Sequence, residues 1–344
     1  MLQGIRVDEV KSTIRALNRA SEQRRMVDMQ KAFSELTMNV VMRMIAGKRY
    51  YGENVEEMEE GWRFREIVKD TLLLDPSNMG DFLPAIRWLG VGGVEKGLVE
   101  LQRKRDAFMQ ELVEGCKRRF KSCGGGDGDV VAEGKTKTMI EMLLALQAKE
   151  PEYYTDALIR SLMLVLLIAG TDSSAGTMEW ALSLLLNHPH VLKKAQCEID
   201  NHIGHDRLID EADITELQYL RCIVNETLRL HYATGERAAI HNDPKNWEDA
   251  TEFKPERFEG LEGNGDGFRL MPFGSGRRGC PGEALAVRMV GLGLGSMIQC
   301  FDWERVGKEL VDMTEGLGLS MHKAEPLMAY CRARPVAGKL LSQI

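Results

Sequence analysis

The chain has 344 residues, of which 44% are hydrophobic and 28% charged, and its formal net charge is −7. That apolar share supports a sizeable core and excludes collagen-like and disordered chains. The acidic balance counts against a protein that grips nucleic acid by neutralising phosphates. With 19 methionines and only 6% aromatics, the composition favours helices over a β-sandwich.

The opening residues, Met1 to Ser12, lack the apolar core of a signal peptide. Val7, Val10, Ile14 and Leu17 then repeat at helical spacing. Asp28 is a plausible N-cap for a second helix whose apolar face runs from Phe33 to Ile45 and stops at Gly47. Further helices are predicted over 56–74 and 94–121, followed by a glycine- and aspartate-rich linker at 124–129. From Asp156 to Asn187 the pattern is one long helix, apolar nearly all round and therefore expected to be buried. Its longest unbroken apolar run, Leu162 to Gly170, spans nine residues, against the about 20 that a membrane span requires; no transmembrane anchor is expected. Pro189 opens the next helix, and Asp213 to Leu230 gives another, with Leu217, Leu220, Val224 and Leu228 inward. Proline- and glycine-rich loops fill 243–282. A glycine-rich helix follows at 283–300, and extended runs at 301–306 and 327–332 close the chain. The fold class is mainly α with minor β, read as a single domain over 1–344.

Seven cysteines are scattered without a C-x-x-C pair, the pattern of reduced thiols. One of them, Cys280, stands in Met-Pro-Phe-Gly-Ser-Gly-Arg-Arg-Gly-Cys-Pro-Gly-Glu, residues 271–283. The glycines let the backbone turn tightly and approach something flat or bulky, and a helix start beside the thiol favours thiolate. Gly274, Gly276 and Gly279 also match the dinucleotide fingerprint, with Asp302 downstream. Pro272 breaks the strand that should lead in, and no βαβ alternation surrounds it, so a nucleotide-binding dehydrogenase is the weakest reading. Within the long helix, Ala169, Gly170, Thr171, Asp172, Ser173 and Ser174 place polar groups in apolar surroundings, where they are costly unless satisfied or used. Their hydroxyls can bond back to earlier carbonyls and open a kink. Such a groove suits O2 and a short proton relay from an acid, Asp172, to a hydroxyl, Ser173. Glu226 and Arg229 share a helix face at i,i+3. The histidine pairs His188/His190 and His202/His205 flank helix ends, where capping or surface roles outweigh metal binding. The basic run Lys117 to Lys121 reads as a solvated helix C-terminus.

Phe273, Gly276, Arg278, Cys280 and Gly282 match the pattern F-x-x-G-x-R-x-C-x-G, and on these residues the chain resembles the cytochrome P-450 family. The resemblance implies that Cys280 is the thiolate ligand of haem iron and that Arg278 reaches a haem propionate. It likewise implies that Ala169, Gly170, Asp172 and Ser173 lie over the haem. Serine stands at 173 where the family usually has threonine; losing the methyl that restrains the rotamer implies weaker coupling of electron use to product. Pro255-Glu256-Arg257-Phe258 completes a family pattern in which Glu226, Arg229 and Arg257 form a buried structural triad.

The resemblance starts at Leu2, after the anchor helix, proline-rich hinge and early arginine helix of family members. It also sets Arg257 only 31 positions after Glu226, roughly half the usual separation, so that Leu230–Glu236 runs almost directly into Arg237–His241. By resemblance the protein is a monomeric haem-thiolate monooxygenase at the cytosolic face of the endoplasmic reticulum. It would insert one oxygen atom from O2 into an apolar small molecule, a plant specialised metabolite of flavonoid or related type. Electrons would come from NADPH through a flavoprotein reductase. The alternative is a catalytically inactive helical protein that binds ligands or partners without turnover.

Overall fold

The computed structural model describes residues 2–52, 59–73, 94–122, 138–231, 238–260, 269–316 and 321–344. The linker at 124–129, Cys123 and the junction 232–237 lie outside the described residues. In chain order the elements are α1 (Gln3–Glu22), β1 (Val27–Asp28), α2 (Met29–Ala46), α3 (Glu59–Leu73), α4 (Val94–Ser122) and α5 (Met139–Lys149). Next come α6 (Asp156–Asn187), α7 (Pro189–His202), α8 (Gln218–Leu230) and α9 (Ala238–His241). The chain ends with α10 (Glu283–Cys300), β2 (Phe301–Arg305), β3 (Met328–Ala333) and α11 (Gly338–Gln343). The mainly helical class with minor β is as expected.

The residues gather into two compact units, one drawn mainly from Met38–Ala169 and the other from Gln3–Thr37 with Gly170–Ile344. In the first, Tyr50 stacks on Phe64 with ring centroids 4.3 Å apart, inside a core that includes Met42, Ile45, Val113, Ile159 and Met163. Its α5 begins at a capping box, Thr138 and Glu141 bonding each other's backbone N–H. In the second unit, β3 is central in an antiparallel sheet of order β1-β3-β2, with Trp303 opposite Cys331 and Val27 opposite Ala329. A two-residue strand such as β1 carries no periodicity and was not foreseeable from pattern. Asp28 caps α2 as expected, its carboxylate accepting the Lys31 N–H at 2.9 Å.

Two expectations are corrected. The helix placed at 213–230 starts at Gln218, and Asp213–Thr215 is a separate 3-10 turn. The Asp213 carboxylate is committed to Arg207 at 2.6 Å and to the Asp210 N–H at 2.7 Å, which ties that turn to the preceding loop. Nor is the long helix buried throughout. From Thr171 onward α6 is mostly core, whereas Leu162, Val165 and Leu166 are exposed, Val165 by 62%. By length and composition α6 could cross a membrane, its best window reaching mean hydropathy 1.5, although no unbroken apolar run in it approaches that length. Its second half instead packs as a core helix, with Met178, Ala181, Leu182 and Leu185 fully enclosed.

Helix α10 is buried from Met289 to Cys300, and its glycines are there for close approach. A Cβ at Gly293 would stand 2.9 Å from Met178 Sδ, and one at Gly295 would stand 2.9 Å from both Ile209 and Leu220 side chains. Helices α6 and α8 and the loop at Ile209 therefore meet α10 at backbone distance. Gly295→Val is expected to destabilise the protein by about 1–3 kcal/mol through overpacking. An unchanged denaturant midpoint in that variant would contradict the close packing.

Candidate active site

An ion-pair cluster is deeply buried in the second unit. Glu226 and Arg229 have fully enclosed side chains. Arg229 donates through Nε to Glu226 Oε2 at 2.7 Å and through Nη2 to Oε1 at 2.9 Å. Arg257 Nε reaches the same carboxylate at 3.0 Å from a position 12% exposed, and the Lys254 N–H adds a fourth donor at 2.9 Å. Two guanidinium groups share one carboxylate, and the second charge is spread over carbonyls. Arg229 donates to His241 O and Ala250 O at 2.7 Å, and Arg257 to Glu248 O at 2.9 Å. The three residues expected to meet do so.

From this cluster a line of bonds leads to the cysteine. The Arg229 contact fixes His241, whose Nε2 accepts the Met271 N–H at 3.1 Å. Met271 O accepts from Gly274 N–H at 3.1 Å, and Phe273 O accepts from Cys280 N–H at 2.7 Å. His241 was missed in the sequence; a lone histidine before Asn242-Asp243-Pro244 carries no signal until the fold encloses it. Gly274 and Gly276 take φ of +75° and +67°, a region that disfavours any side chain, so the glycines here are required by conformation.

Cys280 is exposed, and a Cβ on Gly282 would lie 3.7 Å from its sulfur. Pro281 lies in the turn just before the helix, which starts at the expected residue. Gly282 is the N-cap and α10 begins at Glu283, because a turn closes first, with Glu283 N–H on Cys280 O at 3.4 Å. Arg278 is exposed in the 3-10 turn Gly276–Arg278, and Phe273 is half-buried. Among the other described cysteines, burial pushes Cys300 up to about 12 and Cys222 and Cys331 up to about 11, and it also raises Cys116. These four stay neutral thiols. Cys197 is exposed but lies on α7, away from the glycine-rich turn.

On α6 the hydroxyls bond backwards as expected: Ser174 Oγ to Gly170 O at 3.3 Å and Thr177 Oγ1 to Ser173 O at 2.8 Å. The helix nevertheless runs without a break through Gly170. Ala169 is exposed, and Gly170, Asp172 and Ser173 are half-buried. Leu162, Val165, Leu166 and Ala169 are exposed on the part of α6 that belongs to the first unit, whereas Asp172 and Ser173, in the second, are partly covered. His188 and His202 rings bond the carbonyls of Leu184 and Glu198, at 2.8 and 2.9 Å, in helix-end roles.

The sequence profile of the cytochrome P-450 family matches residues 2–238 and 236–329, so the chain belongs to the cytochrome P-450 family of haem-dependent monooxygenases. It is similar to a (+)-piperitol/(+)-sesamin synthase of Sesamum radiatum, with 44% identity over 99% of this chain and 70% of the relative. Cytochrome P-450 81D1 of Arabidopsis thaliana is also 44% identical, over 98% of this chain and 69% of its own length. An isoflavone 2'-hydroxylase of Glycyrrhiza echinata is 40% identical over 99% of this chain and 71% of its own length. The profile match is split at 236–238, just past α8, and the alignment to the sesamin synthase runs to 368 positions, more than this chain has residues. Both findings agree with the short separation of Glu226 and Arg257.

Replacing Glu226 by alanine leaves two guanidinium groups without their counter-charge. A loss of about 3–5 kcal/mol in denaturant-measured stability is expected. Arg257→Lys, at the partly exposed edge of the cluster, should lose clearly less, and equal losses would contradict the burial order.

Proposed function

We propose that this protein is a haem-thiolate monooxygenase in which Cys280 is the sulfur donor to iron, residues 1–344 forming one domain. The observation that carries this reading is an exposed thiol on a loop whose backbone is held by buried bonds. The residues present fit the group. The glycine at 282 leaves the sulfur side of α10 open, and the first turn of that helix, Ala284 to Val287, is apolar and only partly covered. Arg278 supplies an exposed cation on the same loop for a propionate, with Phe273, Gly276 and Gly282 shaping the cradle. When bound, the haem supplies O2 activation, and thiolate donation favours O–O cleavage.

The chain's own part is to bind, orient and deliver protons. Ala169 and Gly170 keep the middle of α6 slim, and Asp172 and Ser173 offer a carboxyl and a hydroxyl in succession. The substrate would be a hydrophobic small molecule, and the named relatives, a piperitol/sesamin synthase and an isoflavone hydroxylase, support a plant specialised metabolite of flavonoid or related type. Electrons would arrive from NADPH through a separate flavoprotein reductase at the cytosolic face of the endoplasmic reticulum, with the enzyme acting as a monomer. The shortened stretch after α8 favours one other reading, a helical scaffold that binds ligands or partners without turnover.

Reduced protein under carbon monoxide separates the two readings. A strongly red-shifted Soret band is expected, with loss of the band and of retained haem in Cys280→Ala; equal pigment in both proteins would overturn the assignment. With haem bound, Ser173→Thr is expected to release less hydrogen peroxide per NADPH consumed. Equal peroxide yields would remove the relay role from the Ser173 hydroxyl.

A further inference from the structure

Asp172 has a partner that the sequence did not suggest. His322, 150 residues away in the chain, places Nε2 at 2.8 Å from Asp172 Oδ2. The histidine side chain is 30% exposed and the aspartate 18%, so the pair spans from solvent to the half-buried middle of α6. The surroundings are built for it. A Cβ at Gly176, one turn further along α6, would stand 3.5 Å from His322 Nδ1. The Trp180 indole N–H donates to Met321 O at 2.8 Å, which anchors the segment carrying His322. Asp172, Ser173 and His322 line one small cleft with Thr177 and His231.

Other charged groups face this pair from each neighbouring element. From α6 comes Glu179, buried, with its carboxylate accepting the Leu327 N–H at 2.9 Å and burial raising its proton affinity. From the C-terminal segment come Lys323, which donates to Asp312 O, and Glu315, 3.2 Å from His231. From the end of α8 comes His231, stacked on Trp180 at 3.8 Å and pushed down to about 4 by burial with help from Lys323 and Arg229. His231 is therefore neutral near pH 7, and His322 is the imidazole of the cleft that can carry a proton. Its hydrogen bond to Asp172 raises its proton affinity above that of ordinary histidine, against burial. The pairing thus contributes fully below the ordinary value of about 6.5. It is lost as pH rises through the raised folded value.

We propose that His322 is a positioning and proton-exchange residue for Asp172, holding the carboxylate and replenishing its proton from solvent beside Ser173. This rests on the haem-thiolate reading for its catalytic consequence. The imidazolium gives its Nε2 proton to Asp172 Oδ2 and becomes neutral, Asp172 passes that proton inward and returns to carboxylate, and the partly exposed ring takes a proton back at Nε2 from a solvent acid (hydronium or buffer acid), which leaves as its conjugate base. No electron moves in this exchange.

The test has two arms. In the first, haem-free protein with isotope-labelled histidine is titrated by NMR, and the His322 resonance is assigned by its loss in His322→Gln. His322 is expected to titrate at a higher pH in the parent chain than in Asp172→Asn. Identical titrations would overturn the pairing. In the second arm, His322→Gln keeps an N–H that can reach Asp172 but carries no titratable charge. In the haem-loaded enzyme its product per NADPH is expected to fall about tenfold, less than the roughly 100-fold or greater effect of a direct acid, with a flattened pH profile. Wild-type coupling and profile in that variant would reduce His322 to a structural tether and overturn the exchange role. A chain lacking the red-shifted carbonyl band would overturn the catalytic role together with the haem reading. The first arm still reports on the pair by itself, so the two failures are distinguishable.

Discussion

The buried carboxylate of Glu226 is the constraint on which the second unit turns. Four donors converge on it, two from Arg229 and one each from Arg257 and the Lys254 backbone. Removing two or more charges from water is expensive, and only near-complete satisfaction by hydrogen bonds recovers it. The carbonyls of His241, Ala250 and Glu248 complete that satisfaction. The cluster therefore fixes the backbone at His241, Glu248, Ala250 and Lys254. Through His241 and Met271 the same constraint reaches the turn that presents Cys280. On the proposed reading, the thiol would meet iron along one direction, and such a second layer would aim it, since ligands left to loop flexibility are poorly aimed.

How much of this was legible in the sequence depends on range. Local rules worked: Asp28 capped a helix, Pro189 opened one, and the polar residues of α6 bonded back along it. The motif residues at 273–282 fell in one turn because glycine at 274 and 276 supplies conformations that other residues resist. What failed was non-local. Burial along α6 could not be read from its composition, because an all-apolar pattern does not say which neighbours cover which half. The start of α8 shifted because Asp213 found Arg207, a contact outside any periodicity. His241 and His322 escaped notice for the same reason: each acts through a partner far along the chain, and a single histidine has no pattern.

Family membership and geometry meet at the place where the chain departs from its relatives. The profile match is interrupted immediately beyond α8, yet the triad on both sides of that interruption is closed and enclosed. The ion-pair cluster thus holds across the point at which the profile match divides.

The decisive measurement is the reduced carbon monoxide spectrum of His241→Leu, a change that removes the imidazole link from the buried cluster to Met271 and keeps the backbone carbonyl that Arg229 uses. A protein that still folds and takes up haem, but whose red-shifted thiolate band gives way to an unshifted one, is the result this account requires. An unaltered band at wild-type intensity would show that the cysteine is aimed without the Glu226 cluster, and would contradict it.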